Sequence, residues 1–242
     1  MGKIWDRGNS IDKKIEEFTV GDDYIIDQEL VQYDCEASIA HAKMLKKIGI
    51  LSANEEKQLI EELQKIAQEH KERKFTISIE DEDCHTAIEN RLIKSLGDSG
   101  SKIHTGRSRN DQVLVALRLY YKSSLSEISS MINQCIEHLQ KFGDNNNFDF
   151  PGYTHMQKAM PSNIKIWSNA FADSCIDDLK NLKNVQHIID QNPLGSVAGY
   201  PIPLDIDREL TSSELDFNKI QSNPIYCQIS RGKFETLIVD SL

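Results

Sequence analysis

The sequence has 242 residues, of which 39% are hydrophobic and 27% are charged, so the chain is able to bury a core and disorder is not expected. Its 38 acidic residues against 28 Lys and Arg give a net charge of −10, which argues against a nonspecific nucleic-acid-binding protein and a polybasic membrane anchor. The apolar runs are too short to span a bilayer, and the first residues lack the apolar stretch of a signal peptide. The five cysteines are scattered and never spaced C-x-x-C, so we expect reduced thiols in a soluble cytoplasmic protein without a zinc site.

The first hundred residues predict a small domain of short helices. One helix covers residues 33–48, and the next follows Ser52, whose spacing to Glu55 matches a capping box. A third helix begins in the acidic residues 80–83, since carboxylates favour the positive end of a helix dipole. A strand is indicated at residues 75–79. We therefore predict an N-terminal helical domain over residues 1–107.

Two longer helices are predicted in the second half of the chain. Neither glycine nor proline occurs between Gly106 and Gly143, and apolar residues recur there at helical spacing. The second helix covers residues 162–192, with Pro161 at its first position, where the missing N–H costs nothing. At 1.5 Å per residue these helices are about 45–50 Å long, which is typical of a helical bundle. Residues 108–242 are therefore predicted to form part of a helical-bundle domain.

The end of the chain predicts a further helix, which begins near Gln228 and reaches Leu242 in mid-pattern. Two long helices and this short one leave broad apolar stripes without a partner. We therefore expect additional chain or partner subunits to cover them.

The segment before the first long helix has the composition of an anion-binding site. Residues 99–110 contain no acidic residue, and they combine a glycine and hydroxyl groups with the basic residues Lys102, His104, Arg107 and Arg109. Free N–H groups and the dipole at a helix start attract a carboxylate or phosphate, and Ser108 or Asn110 can cap the helix or donate to a ligand. The alternative is a well-capped helix start with solvated arginines.

The connection between the two long helices carries a candidate proton-transfer residue. Residues 150–172 also lack acidic side chains, and they contain His155. Histidine is the residue type best suited to carry protons near neutral pH. The alternative for His155 is a hydrogen-bonded loop histidine. A second histidine, His85, lies four residues before Glu89 and can share a proton or bind a metal with it, but no third ligand is evident, which favours a helix-surface pair.

These segments resemble signature regions of a known enzyme family. The sequences His104-Thr105-Gly106-Arg107-Ser108-Arg109-Asn110-Asp111-Gln112 and Pro151-Gly152-Tyr153-Thr154-His155-Met156-Gln157 are similar to two of the three signatures of argininosuccinate lyase, in the fumarase/aspartase superfamily. The likeness continues through residues 38–45, 80–89, 193–195 and 223–232. Fumarase, aspartase and adenylosuccinate lyase carry different residues there and are weaker matches.

The resemblance implies an all-α fold in which residues 108–242 are the N-terminal part of a central helical-bundle domain. It also implies a homotetramer whose central helices form one large bundle and whose active sites each draw on three subunits. The implied reaction is the reversible β-elimination of argininosuccinate to arginine and fumarate, without a metal or organic cofactor. It also implies roles for single residues. His155 is the expected catalytic acid/base, Asn110 and Thr154 are expected substrate-carboxylate ligands, and the remaining expected substrate-binding residues are Ser108, Arg109 as a contributing cation, and His85 in the pocket lining.

The sequence departs from the family pattern in two places. Many members have a serine ligand in the segment that corresponds to residues 18–23, where Asp23 is the nearest equivalent, so this role is not carried over. The third signature, a mobile loop with the catalytic serine, is absent from the 242 residues, which predicts the N-terminal portion of such an enzyme. Two alternatives remain, an inactive structural protein like some delta-crystallins and an assembly fragment that binds full-length subunits.

Overall fold

The structure, a computed structural model, describes residues 12–242 and is built mainly from helices. The helices are α1 (Lys13–Val20), α2 (Asp23–Ile26), α3 (Val31–Lys47), α4 (Ala53–Lys71), α5 (Cys84–Leu96), α6 (Asp98–Ser101), α7 (Arg109–Asn145), α8 (Ile164–Ile189), α9 (Arg208–Glu214), α10 (Pro224–Ile229) and α11 (Lys233–Val239). Strand β1 (Asp149–Thr154) pairs antiparallel with β2 (Gln157–Asn163), and β3 (Gln191–Asn192) pairs parallel with β4 (Lys219–Ile220).

The predicted starts of α4 and α5 are confirmed. Ser52 Oγ accepts a hydrogen bond from the Glu55 backbone N–H at 3.3 Å, and the Glu55 carboxylate accepts one from the Ser52 N–H at 2.8 Å. This is the expected capping box. At α5, the Asp83 carboxylate accepts a hydrogen bond from the Thr86 N–H at 2.7 Å, so the acidic run ends in an N-cap.

The strand predicted at residues 75–79 does not form. Within residues 12–242 this segment pairs with no strand, and Phe75 and Ile77 are buried in the core formed with α3, α4 and α5. The alternation of apolar residues therefore reflects two side chains that face this core rather than a strand of a sheet.

Two further predictions about element boundaries are wrong. Pro161 lies in β2, and α8 begins at Ile164, where the Asn163 side chain accepts a hydrogen bond from the Ile166 N–H at 2.8 Å. The helix predicted from Gln228 is interrupted, because Gly232 adopts a left-handed conformation (φ 81°) between α10 and α11.

The chain forms two compact units. The first comprises the described residues up to Tyr120 together with Asp190–Arg231, and the second comprises Tyr121–Ile189 with Gly232–Leu242. The main core of the first unit packs α3, α4 and α5 together, and a smaller core of the second unit contains Ile136, Ala172 and Leu179. The domain boundary expected between residues 107 and 108 stays a prediction.

The second unit contains most of α7 and all of α8, which are 37 and 26 residues long. Several large apolar side chains of these helices are exposed, namely Met131, Phe142, Ile166, Trp167 and Phe171. Across residues 12–242, no helix is both long enough and apolar enough to cross a membrane.

Candidate active site

The first turn of α7 carries three of the predicted substrate-binding residues. Ser108 precedes the helix, and its Oγ accepts a hydrogen bond from the Asn110 backbone N–H at 3.3 Å. The Asp111 carboxylate accepts one from the Ser108 N–H at 2.8 Å. Ser108 is therefore the helix cap. Asn110 is half-buried, and its side-chain amide donates a hydrogen bond to Ser108 Oγ at 3.3 Å.

Asp111 fixes this turn to the loop formed by residues 193–199. Its fully buried carboxylate accepts hydrogen bonds from the backbone N–H groups of Gly195 at 2.8 Å and Val197 at 2.9 Å. Burial raises the pKa of Asp111 although these N–H groups oppose the shift. The loop is thus an anion-binding site that is filled by a carboxylate of the protein itself.

The basic residues of the acid-free segment 99–110 are not solvated cations, because carboxylates from other elements reach each of them. The ion pairs are Lys102–Glu55 at 2.5 Å, His104–Glu89 at 2.9 Å, Arg107–Glu89 at 3.5 Å and Arg109–Asp83 at 3.0 Å. The alternative of solvated arginines is wrong. In the folded chain, these carboxylates also compensate most of the positive charge that the acid-free segment led us to expect.

Arg109 is held at the start of α5. Its Nη1 donates to Asp83, and its Nη2 donates to the Thr86 hydroxyl. Glu82 lies 3.7 Å from the same Nη1. The guanidinium therefore has two carboxylate partners before any ligand is considered.

Arg231, to which the sequence motifs assign no role, lies beside Asn110. Its Nη2 donates to the Asn110 backbone oxygen at 3.0 Å and to the Asn110 Oδ1 at 3.1 Å. The two residues are separated by 121 positions in the chain, so no local spacing indicates the contact.

His85 lies in a buried polar cluster with Asp34. Its Nδ1 is 3.1 Å from the Asp34 carboxylate, which also accepts hydrogen bonds from Gln112 Nε2 at 3.0 and 3.2 Å. Burial opposes ionisation of both groups. Their mutual attraction nevertheless raises the pKa of His85 and, with Arg107 and Gln112, lowers that of Asp34. This arrangement is a buried ion pair that joins α3, α5 and α7.

The buried cluster around Asp34 also contains three side chains of types that bind metal ions. One ligand atom each from Asp34, Cys84 and His85 lies within 4.8 Å of the others. However, the Asp34 carboxylate is already engaged by His85 and Gln112, and burial raises the pKa of the Cys84 thiol well above its usual range. A neutral thiol is a poor metal ligand, so we assign no metal here.

The expectation of a helix-surface pair of His85 and Glu89 is wrong. Both side chains are buried, with 3% and 6% of their surface exposed. They face different partners, His85 towards Asp34 and Glu89 towards His104 and Arg107. The substrate-binding role expected for His85 stays a prediction.

Thr154 and His155 lie at the tip of the β1–β2 hairpin in the second unit. Thr154 pairs with Gln157, and the two residues between them, His155 and Met156, have φ angles of 50° and 63°. Two consecutive left-handed residues are typical of a type I′ turn, in which Asn-Gly is strongly preferred. The turn is therefore strained at the predicted catalytic residue.

The His155 side chain is exposed and has no hydrogen-bond partner within residues 12–242. The alternative of a hydrogen-bonded loop histidine is thus wrong for this chain. Gly152 makes the hairpin possible, because a Cβ there would lie 2.8 Å from the Met160 backbone oxygen.

Comparison with known proteins connects these two groups of residues to one family. A family model described as a lyase matches residues 8–234. The chain belongs to this lyase family. An argininosuccinate lyase of Thermotoga neapolitana is 50% identical over 99% of this chain and 61% of its own length, and one of Xylella fastidiosa is 42% identical over 99% and 54%. The resemblance predicted from the motifs is confirmed, and the chain spans little more than half the length of these relatives.

Solved structures show the fold of this lyase chain. An EDDS lyase variant with bound fumarate has a TM-score of 0.78 at 19% identity, covering 97% of this chain and 46% of its own. A fumarate lyase:delta crystallin from Brucella melitensis bound to cobalt has a TM-score of 0.76 at 18% identity, covering 93% and 55%. The predicted all-α fold class is confirmed.

Proposed function

We propose that this chain is part of an argininosuccinate lyase, which converts argininosuccinate reversibly to arginine and fumarate in arginine biosynthesis. The observation that carries the proposal is the 50% identity to an argininosuccinate lyase over 99% of this chain. The start of α7 and the β1–β2 hairpin, which carry the signature residues, supply side chains suited to this reaction.

The reaction removes a proton from carbon beside a carboxylate, and negative charge then accumulates on the carboxylate oxygens. Hydrogen-bond donors fixed in advance around those oxygens stabilise this charge. In the proposed site these donors are the Asn110 amide, the Thr154 hydroxyl and the Ser108 hydroxyl, with Arg109 contributing positive charge. The cap at Ser108 and the buried Asp111 hold the first of these groups on a rigid helix end.

His155 is proposed to take part in the proton transfers that accompany C–N cleavage. A histidine at an exposed hairpin tip, with no hydrogen-bond partner among residues 12–242, is able to enter a site completed by another molecule. This supports the proposal that the protein forms a homotetramer with sites built from several subunits. The apolar side chains exposed on α7 and α8 support it as well.

We also place the protein in the cytoplasm. The support is chemical, since all five cysteines are unpaired thiols, as is usual in a reducing compartment.

Growth of a bacterium that lacks argininosuccinate lyase tests the proposed function. Residues 1–242 are fused to the portion of the Thermotoga neapolitana relative that this chain does not cover, and the fusion is expected to restore growth without arginine. The His155→Ala fusion is expected to fail, whereas His187→Ala, which changes an exposed histidine of α8, is expected to support growth. A folded fusion that never restores growth would favour an inactive, crystallin-like protein.

A further inference from the structure

Helices α7 and α8 approach each other closely in the second unit. A Cβ atom on Gly143 of α7 would lie 3.1 Å from the Cα atom of Lys165 in α8, so the two backbones are almost in contact there. Further along the same pair of helices, Ile136 of α7 packs with Ala172 and Leu179 of α8. Because the Ala172 side chain is small and fully buried, the backbones are able to stay close along this stretch as well.

Two of the five cysteines lie on the facing sides of these helices. Cys175 of α8 packs against the core of the second unit, and Cys135 directly precedes Ile136 in α7. Their thiols lie within hydrogen-bond reach of each other. The register of the two helices agrees with this contact. Cys135 lies about two helical turns before Gly143, and Cys175 lies about two turns after Ser168, the side chain nearest to Gly143.

The two thiols differ from the other three in access to an oxidant. Those three are Cys35, Cys84 and Cys227, which are at most 1% exposed. Burial raises the pKa of each of these thiols, which suppresses the reactive thiolate. Cys135 is exposed, whereas Cys175 is half-buried. Burial and then the neighbouring Cys135 thiol raise the pKa of Cys175. Cys135 is therefore the thiol that reacts first, and Cys175 is the thiol placed to react with the product.

We propose that Cys135 and Cys175 form a reversible disulfide within one chain, which links α7 to α8 when a peroxide is present. Hydrogen peroxide oxidises the Cys135 thiol to a sulfenic acid and releases water. The Cys175 thiol then attacks the Cys135 sulfur, the S–S bond forms, and the sulfenic oxygen leaves as a second water molecule. The electrons and protons that the two thiols lose are taken up by the peroxide. A small thiol such as glutathione reverses the bond by exchange. The inference does not depend on the proposed lyase function.

The disulfide would close the loop of residues 135–175, which contains the β1–β2 hairpin. Such a bond restricts the unfolded chain more than the folded one, provided that the native packing accepts its geometry. Oxidation is therefore expected to raise the thermal midpoint of the chain by about 5–10 °C. The rise should be absent in Cys135→Ser.

Peptide mass spectrometry of the oxidised 242-residue chain tests the inference. After treatment with hydrogen peroxide and digestion without a reductant, the peptides of Cys135 and Cys175 should appear joined, and dithiothreitol should separate them. Cys135→Ser and Cys175→Ser should each remove the joined pair. Cys227→Ser is the control, since serine keeps a donor for the Gln221 backbone oxygen, and it should retain the pair. Circular dichroism spectra that match the parent exclude unfolding as the cause.

Three results would overturn the proposal. The first is two free thiols, or a persistent sulfenic acid at Cys135, after the peroxide has been consumed. The second is a bond between the Cys135 residues of two chains, which appears as a dimer on a non-reducing gel in place of the joined pair. The third is a thermal midpoint that falls on oxidation, because it would show that the disulfide does not fit the packing of α7 and α8.

Discussion

Asn110 has no contact that the helix requires. Ser108 caps α7, Asp111 anchors the turn, and the Asn110 side chain bonds to Arg231 and approaches Ser108 Oγ. A residue whose amide is held by an exposed arginine is well placed to bind a ligand and contributes little to folding.

Asn110→Ala in the fusion protein is therefore expected to lower kcat/KM for argininosuccinate about 10²–10³-fold, as loss of one charge-stabilising donor does. The thermal midpoint should change little, because the side chain is half-buried and not a cap. Asn54→Ala, at an exposed position of α4, is the control. Loss of folding without a separate kinetic effect would show that Asn110 is structural.

His41 provides a residue-scale test of the buried core. Its side chain is fully buried and its Nε2 is 2.9 Å from the Thr105 backbone oxygen. Burial, together with the nearby Arg107 guanidinium, lowers the pKa of His41 to about 3. In the unfolded chain the same group binds a proton below about pH 6.5.

The free energy of unfolding should therefore fall as the pH drops from about 6.5 towards about 3, because the unfolded state binds the proton first. Between about pH 7 and pH 4.5, the free energy of unfolding of His41→Gln, measured in denaturant titrations, should fall by about 2–3 kcal/mol less than that of the parent. A single proton taken up on unfolding changes this free energy by about 1.4 kcal/mol per pH unit. His138→Gln, at an exposed position, should behave like the parent. If the free energy of unfolding fell equally at acid pH in all three proteins, the lowered pKa of His41 would be contradicted.

Residue types and local spacing were enough to single out Ser108, Asn110 and His155 as candidates, since each lies in a turn before or between helices, and their roles in a site stay predictions. The compensation of Arg107 and Arg109 was not predictable from the sequence, because Glu89 and Asp83 approach from α5 and its cap. For the same reason, the contacts of Arg231 and Asp34 were missed. Both depend on elements that meet only in the folded chain.

At the scale of elements, the helices followed the periodicity of apolar residues, and the capping box at Ser52 fixed a boundary. The β1–β2 hairpin was missed because none of its residues is buried, so no alternation between a buried and an exposed face marks it. Its turn also lacks the glycine or asparagine that indicates such hairpins. The strained His155-Met156 pair explains why the local signal was absent.

That strain predicts the effect of glycine substitutions in the hairpin. Met156→Gly should stabilise the turn by up to about 1 kcal/mol, since glycine adopts positive φ without a steric cost. Slower amide hydrogen exchange of residues 153–158 is the expected measurement. Met160→Gly, at an exposed position inside β2, should speed exchange instead, because glycine weakens a strand. Faster exchange in both variants would argue against a strained turn.

At the scale of the whole molecule, the exposed apolar side chains of α7 and α8 predict self-association. Trp167 and Phe171, whose rings meet edge to face at 5.1 Å, are each about half exposed. Such clusters are typical of protein interfaces. Sedimentation at micromolar concentration should show oligomers, and Phe171→Glu should weaken them, whereas Asn181→Glu at an exposed polar position should not. A stable monomer would contradict both the interface and the homotetramer.

The most direct test of the account is the release of fumarate from argininosuccinate, followed by ultraviolet absorbance. The 242 residues are proposed to carry a carboxylate site and His155 but not the serine loop of the family, and loss of one proton-transfer partner typically lowers a rate about 10²–10⁴-fold. The chain alone should therefore release no fumarate above background. Mixing it with the separately produced remainder of the Thermotoga neapolitana relative should restore release, and His155→Ala should abolish it. Robust turnover by the 242-residue chain alone, or by the mixture with His155→Ala, would contradict the account.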